Sequence, residues 1–235
     1  MKLAQALILV GGLGTRLQPV VRDVPKPMAD VNGRPFLEYV INHLKKFGVK
    51  EIILATGHMH EKIESYFGDG SKFGAKIFYS REPEPLGTGG AIKLASKFLS
   101  GRFLLVNGDT WFDCNLDKLE QEHEKNKVIG TLALAELKDT ARYGLVITNA
   151  ENKIEKFVEK GNAIQSENKI NAGFYILEPE IFQHIPEGKV SIESDVFTKL
   201  VSQGKLYGIS LPGNFIDIGM PEDYFKFKEF AKQLN

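Results

Sequence analysis

Apolar residues recur along this chain in two rhythms, and the rhythms alternate. Gln5–Val10 is an unbroken apolar run after its first residue, the pattern of a strand buried on both faces. Pro35–Phe47 follows with apolar residues at helical spacing, one face in and one face out. The same reading predicts strands near Leu3–Val10, Glu51–Ala55, Ala75–Ser80 and Arg102–Val106. It predicts helices near Pro35–Phe47, Glu61–Phe67, Gly89–Leu99 and Leu116–Asn126. Alternating strands and helices imply a mostly parallel sheet covered by helices on both faces. The second half changes character. Val128–Ala135, Gly144–Ile147, Ile154–Val158 and Ile170–Leu177 read as strands with turn residues between them. Glu193–Gln203 and Pro221–Leu234 read as late amphipathic helices. The expectation is one α/β domain, residues 1–235, with a mixed sheet that extends from residues 1–127 into residues 128–235.

Ligands of such sheets sit at the carboxyl ends of strands. Two loops there carry chemistry. The first strand runs into Gly11-Gly12-Leu13-Gly14-Thr15-Arg16-Leu17, and Pro25-Lys26-Pro27 follows. Glycines let backbone N–H groups approach a phosphate closely, and Arg16 and Lys26 add two fixed positive charges. The dinucleotide fingerprint fails because Leu17 stands where a third glycine is needed. The P-loop fails because no Gly-Lys-Ser/Thr closes the loop. What remains is a site for a polyphosphate. The other loop is Asn107-Gly108-Asp109, and Phe215-Ile216-Asp217-Ile218-Gly219 has the same form of one carboxylate among apolar residues. A carboxylate in that setting is costly unless paired or metal-bound. Two of them suit a hard divalent cation such as Mg2+.

Composition narrows the ligand. In 235 residues Lys+Arg and Asp+Glu each number 30, so the formal net charge is zero. That balance disfavours nucleic acid as a partner, whereas a small anion needs only local charge. The single Cys114 excludes an internal disulfide and a cysteine zinc cluster. No run approaches the ~20 apolar residues of a membrane span, and the opening Ala6–Val10 run is too short for a signal peptide. A soluble cytoplasmic protein is expected, with no nucleic-acid or membrane partner and with a homo-oligomer compatible with the sequence.

The segments Gly-Gly-x-Gly-Thr-Arg-Leu (Gly11–Leu17), Pro25–Pro27, Asn107–Asp109 and Asp217–Gly219 resemble the signature of the sugar-nucleotidyltransferases, which join an NTP and a sugar 1-phosphate. The resemblance spans Ala4 to Tyr224. It implies a three-layer α/β/α, Rossmann-like fold, with a nucleotide-binding first half and a sugar-binding second half. It implies Arg16, Lys26 and Asp109 as catalytic residues and Asp109 and Asp217 as ligands of Mg2+. Leu9, Gly11, Gly12, Gly14, Thr15, Gly108 and the Pro85–Ala91 segment, with Pro85, Gly87 and Thr88, would meet the nucleotide. Glu82 just before that segment suits guanine, which offers two N–H donors on one edge. Arg142-Tyr143-Gly144, Phe157–Lys160 and Asn171-Ala172-Gly173 resemble the family's sugar segments. They nominate Tyr143, Gly144, Glu159, Lys160, Asn171 and Gly173. Gly161 stands where the family usually has proline after Glu-Lys.

Within the family, Pro25–Asp30, Pro85–Ile92 and Phe215–Tyr224 look like the heptose 1-phosphate guanylyltransferases. GTP and a heptose 1-phosphate are then the implied substrates, for surface polysaccharide biosynthesis. Mannose 1-phosphate guanylyltransferase, N-acetylmuramate 1-phosphate uridylyltransferase and glucose 1-phosphate thymidylyltransferase are neighbouring alternatives. A non-catalytic nucleotide-sugar sensor on the same fold is the reading from another class.

Overall fold

The computed structural model describes residues 3–12, 14–17, 19–158 and 168–234. The strands are β1 (Gln5–Leu9), β2 (Asp30–Val31), β3 (Arg34–Pro35), β4 (Glu51–Thr56), β5 (Lys76–Arg81), β6 (Phe103–Asn107), β7 (Thr110–Phe112), β8 (Gly130–Glu136), β9 (Leu145–Thr148), β10 (Ile154–Val158), β11 (Lys169–Leu177), β12 (Leu206–Ser210) and β13 (Phe215–Asp217). The helices are α1 (Phe36–Lys46), α2 (His60–Phe67), α3 (Gly87–Ala95), α4 (Leu116–Asn126), α5 (Ile181–His184), α6 (Thr198–Ser202) and α7 (Pro221–Ala231).

Nine strands form one sheet, among the described residues. The parallel order is β6-β1-β4-β5, and β11 joins it by pairing antiparallel to β6. On its other edge β11 pairs with β8, which continues parallel to β12. Ile170 of β11 also meets Leu145 of β9. Only β10 and β11 run against the common direction, so the sheet is mixed and mostly parallel, as expected.

The alternation of side chains along each strand splits the core in two. Ala6, Ile8, Leu104 and Val106 face α1, α2, α4 and α7, through residues such as Phe36, Ile63, Leu116 and Phe227. Leu7, Ile53, Phe103 and Leu105 face α3 and the 192–200 segment, through Ile92, Phe197 and Leu200. That is the three-layer arrangement. Helix α1 forms because Phe36, Leu37, Val40, Ile41 and Leu44 recur at helical spacing. It ends before Gly48, whose φ of +84° suits a residue without a β-carbon.

Three features depart from the expected elements. The helix read at Glu193–Gln203 is a wide π-type turn, Ile192–Phe197, followed by the short α6. Strand β12 is real although Gly208 interrupts its pattern. Two short pieces, β7 and β13, pair antiparallel outside the main sheet, with Asp217 opposite Thr110 and Ile216 opposite Trp111. This ribbon is tied down by Trp111, whose ring lies 5.5 Å from that of Phe227 on α7.

Candidate active site at the ends of the first and sixth strands

A cleft of about 340 Å³ opens where β1 and β6 end, a usual size for a small-molecule site. Leu9, Gly11, Gly12, Gly14, Lys26, Glu82, Pro85, Gly87, Thr88, Asn107 and Asp109 line it. Most residues nominated for the nucleotide therefore meet in one place. Gly108 sits just behind, its N–H donating to the Leu9 carbonyl at 2.9 Å, which ties the two strand ends together. Thr15 opens a 3-10 turn that carries Arg16.

The lysine is placed by a glycine. Gly14 has φ +60°, and a β-carbon there would lie 3.0 Å from Lys26 Cβ. Both facts call for glycine. The Lys26 ammonium donates to Asp109 Oδ2 at 2.7 Å, with the lysine side chain only 11% exposed. Asp217 comes to the same spot because β13 pairs with β7, and the Ile218 N–H donates to the Asp109 carbonyl at 3.0 Å. Burial and the Asp109 charge push the Asp217 carboxyl up, against the opposing pull of Lys26, the Gly219 N–H and Arg16. Arg16 comes near from the glycine loop, its Nη2 3.5 Å from where a β-carbon on Gly219 would stand, close enough for its charge to act on Asp217. Two carboxylates and two cations from four separate segments thus converge.

Glu82 is not a solvated surface residue. Its Oε2 accepts the Leu86 N–H at 3.0 Å, and its Oε1 packs against Gly11, where a β-carbon would stand 2.5 Å away. Burial pushes its carboxyl up. The glycine cluster at the start of α3 is anchored differently from a simple cap. The Gly89 N–H donates to the Val190 carbonyl at 2.8 Å. The Thr88 hydroxyl donates to Glu193 Oε2 at 2.9 Å and accepts the Ile192 N–H at 2.8 Å. Thr88 therefore fastens the α3 side of the cleft to the π-type turn.

Of the residues nominated for the sugar, Tyr143 feels the Asp217 charge, and Gly173 packs against Asn107 at the end of β6. Tyr143 packs its ring edge-on against Phe215, 5.4 Å between centroids. Its neighbour Arg142 is held by Asp223 of α7, Nη1 to Oδ2 at 2.9 Å, and by Glu222 at 2.5 Å. Gly144 faces the Val158 carbonyl. Strand β11 bulges between Asn171 and Tyr175, where the three residues Ala172, Gly173 and Phe174 stand against the single Ala133 of β8, between the pairs Asn171–Leu134 and Tyr175–Leu132. At the bulge Gly173 has φ +72°, and a β-carbon there would lie 2.8 Å from Asn107 Nδ2. Both Asn171 side-chain atoms are engaged: Nδ2 donates to the Tyr175 hydroxyl at 2.9 Å, and Oδ1 accepts the Gly173 N–H at 3.1 Å. Glu159 and Lys160 lie outside the described residues.

Asn107, Tyr175 and Glu193 were not singled out by the sequence. Asn107 stands inside the Asn-Gly-Asp segment, so its position was visible and its contact was not. No group of three or more His, Cys, Asp or Glu fit to hold a metal occurs among the described residues. No helix among them is long and apolar enough to cross a membrane.

Residues 5–233 match the Nucleotidyl transferase family over nearly the whole chain. The chain belongs to that family. It is 46% identical over 224 residues to the D-glycero-α-D-manno-heptose 1-phosphate guanylyltransferase of Aneurinibacillus thermoaerophilus, covering 94% of this chain and 96% of that one. It is 43% identical to the enzyme of the same name from Campylobacter jejuni, covering 95% and 98%. The crystal structure of HddC from Yersinia pseudotuberculosis complexed with GMP-PN superposes with a TM-score of 0.86 at 36% identity, covering 97% of this chain and 99% of that one.

Proposed function

We propose that the protein transfers GMP from GTP to D-glycero-α-D-manno-heptose 1-phosphate, forming the GDP-sugar and releasing pyrophosphate. The observation that carries this reading is the convergence of Lys26, Arg16, Asp109 and Asp217 at the mouth of a glycine-lined cleft. The full-length likeness to two heptose 1-phosphate guanylyltransferases supports the substrates.

The chemistry follows from charge. A phosphate monoester has a second pKa of about 6, so the attacking oxygen is already ionised at neutral pH. No general base is needed. The obstacle is repulsion between the two anions as the sugar phosphate oxygen bonds to the α-phosphorus and the bond to pyrophosphate breaks. Lys26 stabilises the charge that builds on the α-phosphate, and Arg16 holds the departing pyrophosphate over the Gly11–Gly14 backbone. Enzymes of this family generally use a divalent metal. Asp109 and Asp217 fit one: both are hard oxygen donors, and the charge of Asp109 already disfavours ionisation of Asp217. Bound there, Mg2+ would neutralise phosphate charge and align the reactants.

Base choice rests on Glu82, whose half-buried carboxylate can accept both N–H donors of guanine. Thymine and uracil offer one N–H between two carbonyls that repel it. Tyr143, Gly144, Asn171, Gly173, Glu159 and Lys160 form the proposed sugar side. The test is pyrophosphate release with Mg2+, crossing GTP, UTP, dTTP, CTP and ATP with heptose, mannose, glucose and N-acetylmuramate 1-phosphates. Release confined to GTP and the heptose phosphate is expected. Release with another pair overturns the substrates, and nucleotide binding without release overturns the enzyme reading.

A further inference from the structure

Beneath the cleft lies a closed loop of contacts that the proposed chemistry does not use. Asn107 lines the cleft one residue before Gly108-Asp109. Its side chain touches Gly173 at the β11 bulge. Gly173 donates to Asn171 at 3.1 Å, Asn171 donates to the Tyr175 hydroxyl at 2.9 Å, and the Asn107 amide stands beside that same hydroxyl. The ring therefore joins the end of β6, on the nucleotide side, to β11, on the sugar side.

Tyr175 is fully buried, with its ring 5.6 Å from that of Phe197. A phenol in such an apolar setting is costly unless its oxygen is bonded, and phenylalanine would fill the same space without that cost. Of the two amides beside it, Asn107 lines the cleft and Asn171 stands behind it on β11, donating to the hydroxyl. Burial and the nearby Glu193 carboxylate push its ionisation far up, so the group stays a neutral phenol at any working pH. It is suited to hold amides in place and unsuited to move a proton.

We infer that Tyr175 is a positioning residue for the transfer step: its hydroxyl fixes the Asn107 and Asn171 amides, and with them the floor on which the sugar 1-phosphate meets the nucleotide. The inference rests on the guanylyltransferase reading above. Wild-type turnover separates the two. Its absence with every substrate pair defeats that reading, whereas normal turnover by both the wild type and Tyr175→Phe defeats the positioning role alone.

The test is steady-state kinetics of Tyr175→Phe, with GTP affinity measured separately in the absence of sugar phosphate. Removing the oxygen releases both amides but leaves the ring packing. We expect kcat to fall about tenfold to a hundredfold, the scale of a small misplacement of reacting groups. The KM for sugar 1-phosphate should rise, and the Kd for GTP should stay within about twofold, since Glu82 and the glycine loop are untouched. In an Asn107→Ala/Asn171→Ala background the same change should add no further loss of kcat, because its route of action is gone. A lowered Tm with wild-type kcat and KM means packing only and overturns the inference. An undiminished loss in the double-alanine background also overturns it. Should Tyr175→Phe fail to fold, Asn107→Ala and Asn171→Ala are compared singly and together: sub-additive losses uphold the linkage and additive losses overturn it.

Discussion

The ammonium of Lys26 lies 2.7 Å from the carboxylate of Asp109, and Asp109 is also the charge that holds the Asp217 carboxyl up. One lysine therefore serves two ends. In the proposed mechanism it meets the α-phosphate, and in the folded protein it offsets repulsion between two neighbouring carboxylates. Lys26→Ala should lower kcat/KM by about 2–4 kcal/mol of transition-state stabilisation, on the scale of losing one oxyanion donor. Arg16→Ala should lose a similar amount. Turnover within threefold of wild type in either variant would remove that residue from the mechanism. Lys26→Arg should rescue poorly, since a planar guanidinium does not reproduce a compact ammonium beside Gly14.

Glu82→Gln isolates base selection. Glutamine still offers an oxygen to the Leu86 N–H, so the local turn is retained. It can no longer accept two N–H groups from guanine. The expected outcome is a GTP KM raised by about tenfold, one good hydrogen bond to a charged group, with little change for ATP. Equal kcat/KM ratios for GTP over ATP in the variant and the wild type would show that Glu82 does not read the base.

Two glycines of the site should respond oppositely to alanine. Gly173 combines φ +72° with a neighbour at 2.8 Å, the Asn107 amide. Gly173→Ala should cost about 1–3 kcal/mol from backbone strain and crowding. That lowers the Tm by roughly 3–10 °C in a chain of this size. Gly12 has nothing within 4 Å of its missing β-carbon. Gly12→Ala should leave the Tm unchanged and weaken GTP binding, because only a ligand fills that space. Thermal melts with and without GTP separate the two effects.

His43 supplies a pH dependence of stability. Burial on the inner face of α1, against Trp111 and Phe174, lowers its pKa from 6.5 to about 4, with Asp113 opposing and Lys46 adding to the shift. The unfolded chain takes up this proton as the pH falls through 6.5, while the folded protein does not until about 4. Stability is therefore fully present above 6.5 and is lost between 6.5 and 4. From pH 7.5 to 5 the loss is about 2 kcal/mol by linkage. Urea titrations at both values should show it, and His43→Gln should remove this part of the slope.

The sequence exposed the long periodic elements because each carries its signal locally. Helix α1 and strands β1, β4 and β6 are where their apolar rhythm places them. The pieces that were missed are those whose existence depends on a partner far along the chain. Strands β7 and β13 are three residues each, too short to show a period, and they form only because they pair. Glu82 was legible as a candidate for the base, but its setting was not: Arg81 turns away to Glu64, its Nε 2.7 Å from Oε1, while Glu82 turns in against Gly11. The Asn107–Tyr175 link was invisible for the same reason, since it joins strands that neighbour each other only in the folded sheet.

The ribbon of β7 and β13 also sets an order of assembly. Domains form from the amino end as a chain is synthesised, and the parallel strands with Lys26 and Asp109 emerge well before Asp217. Strands β1, β4, β5 and β6 can pair while the second carboxylate is still inside the ribosome, although α7, which covers one face, follows it. Trp111, opposite Ile216 on β7, would thus report by its fluorescence that residues 215–217 have docked, and the onset of activity in a nascent chain should coincide with that change.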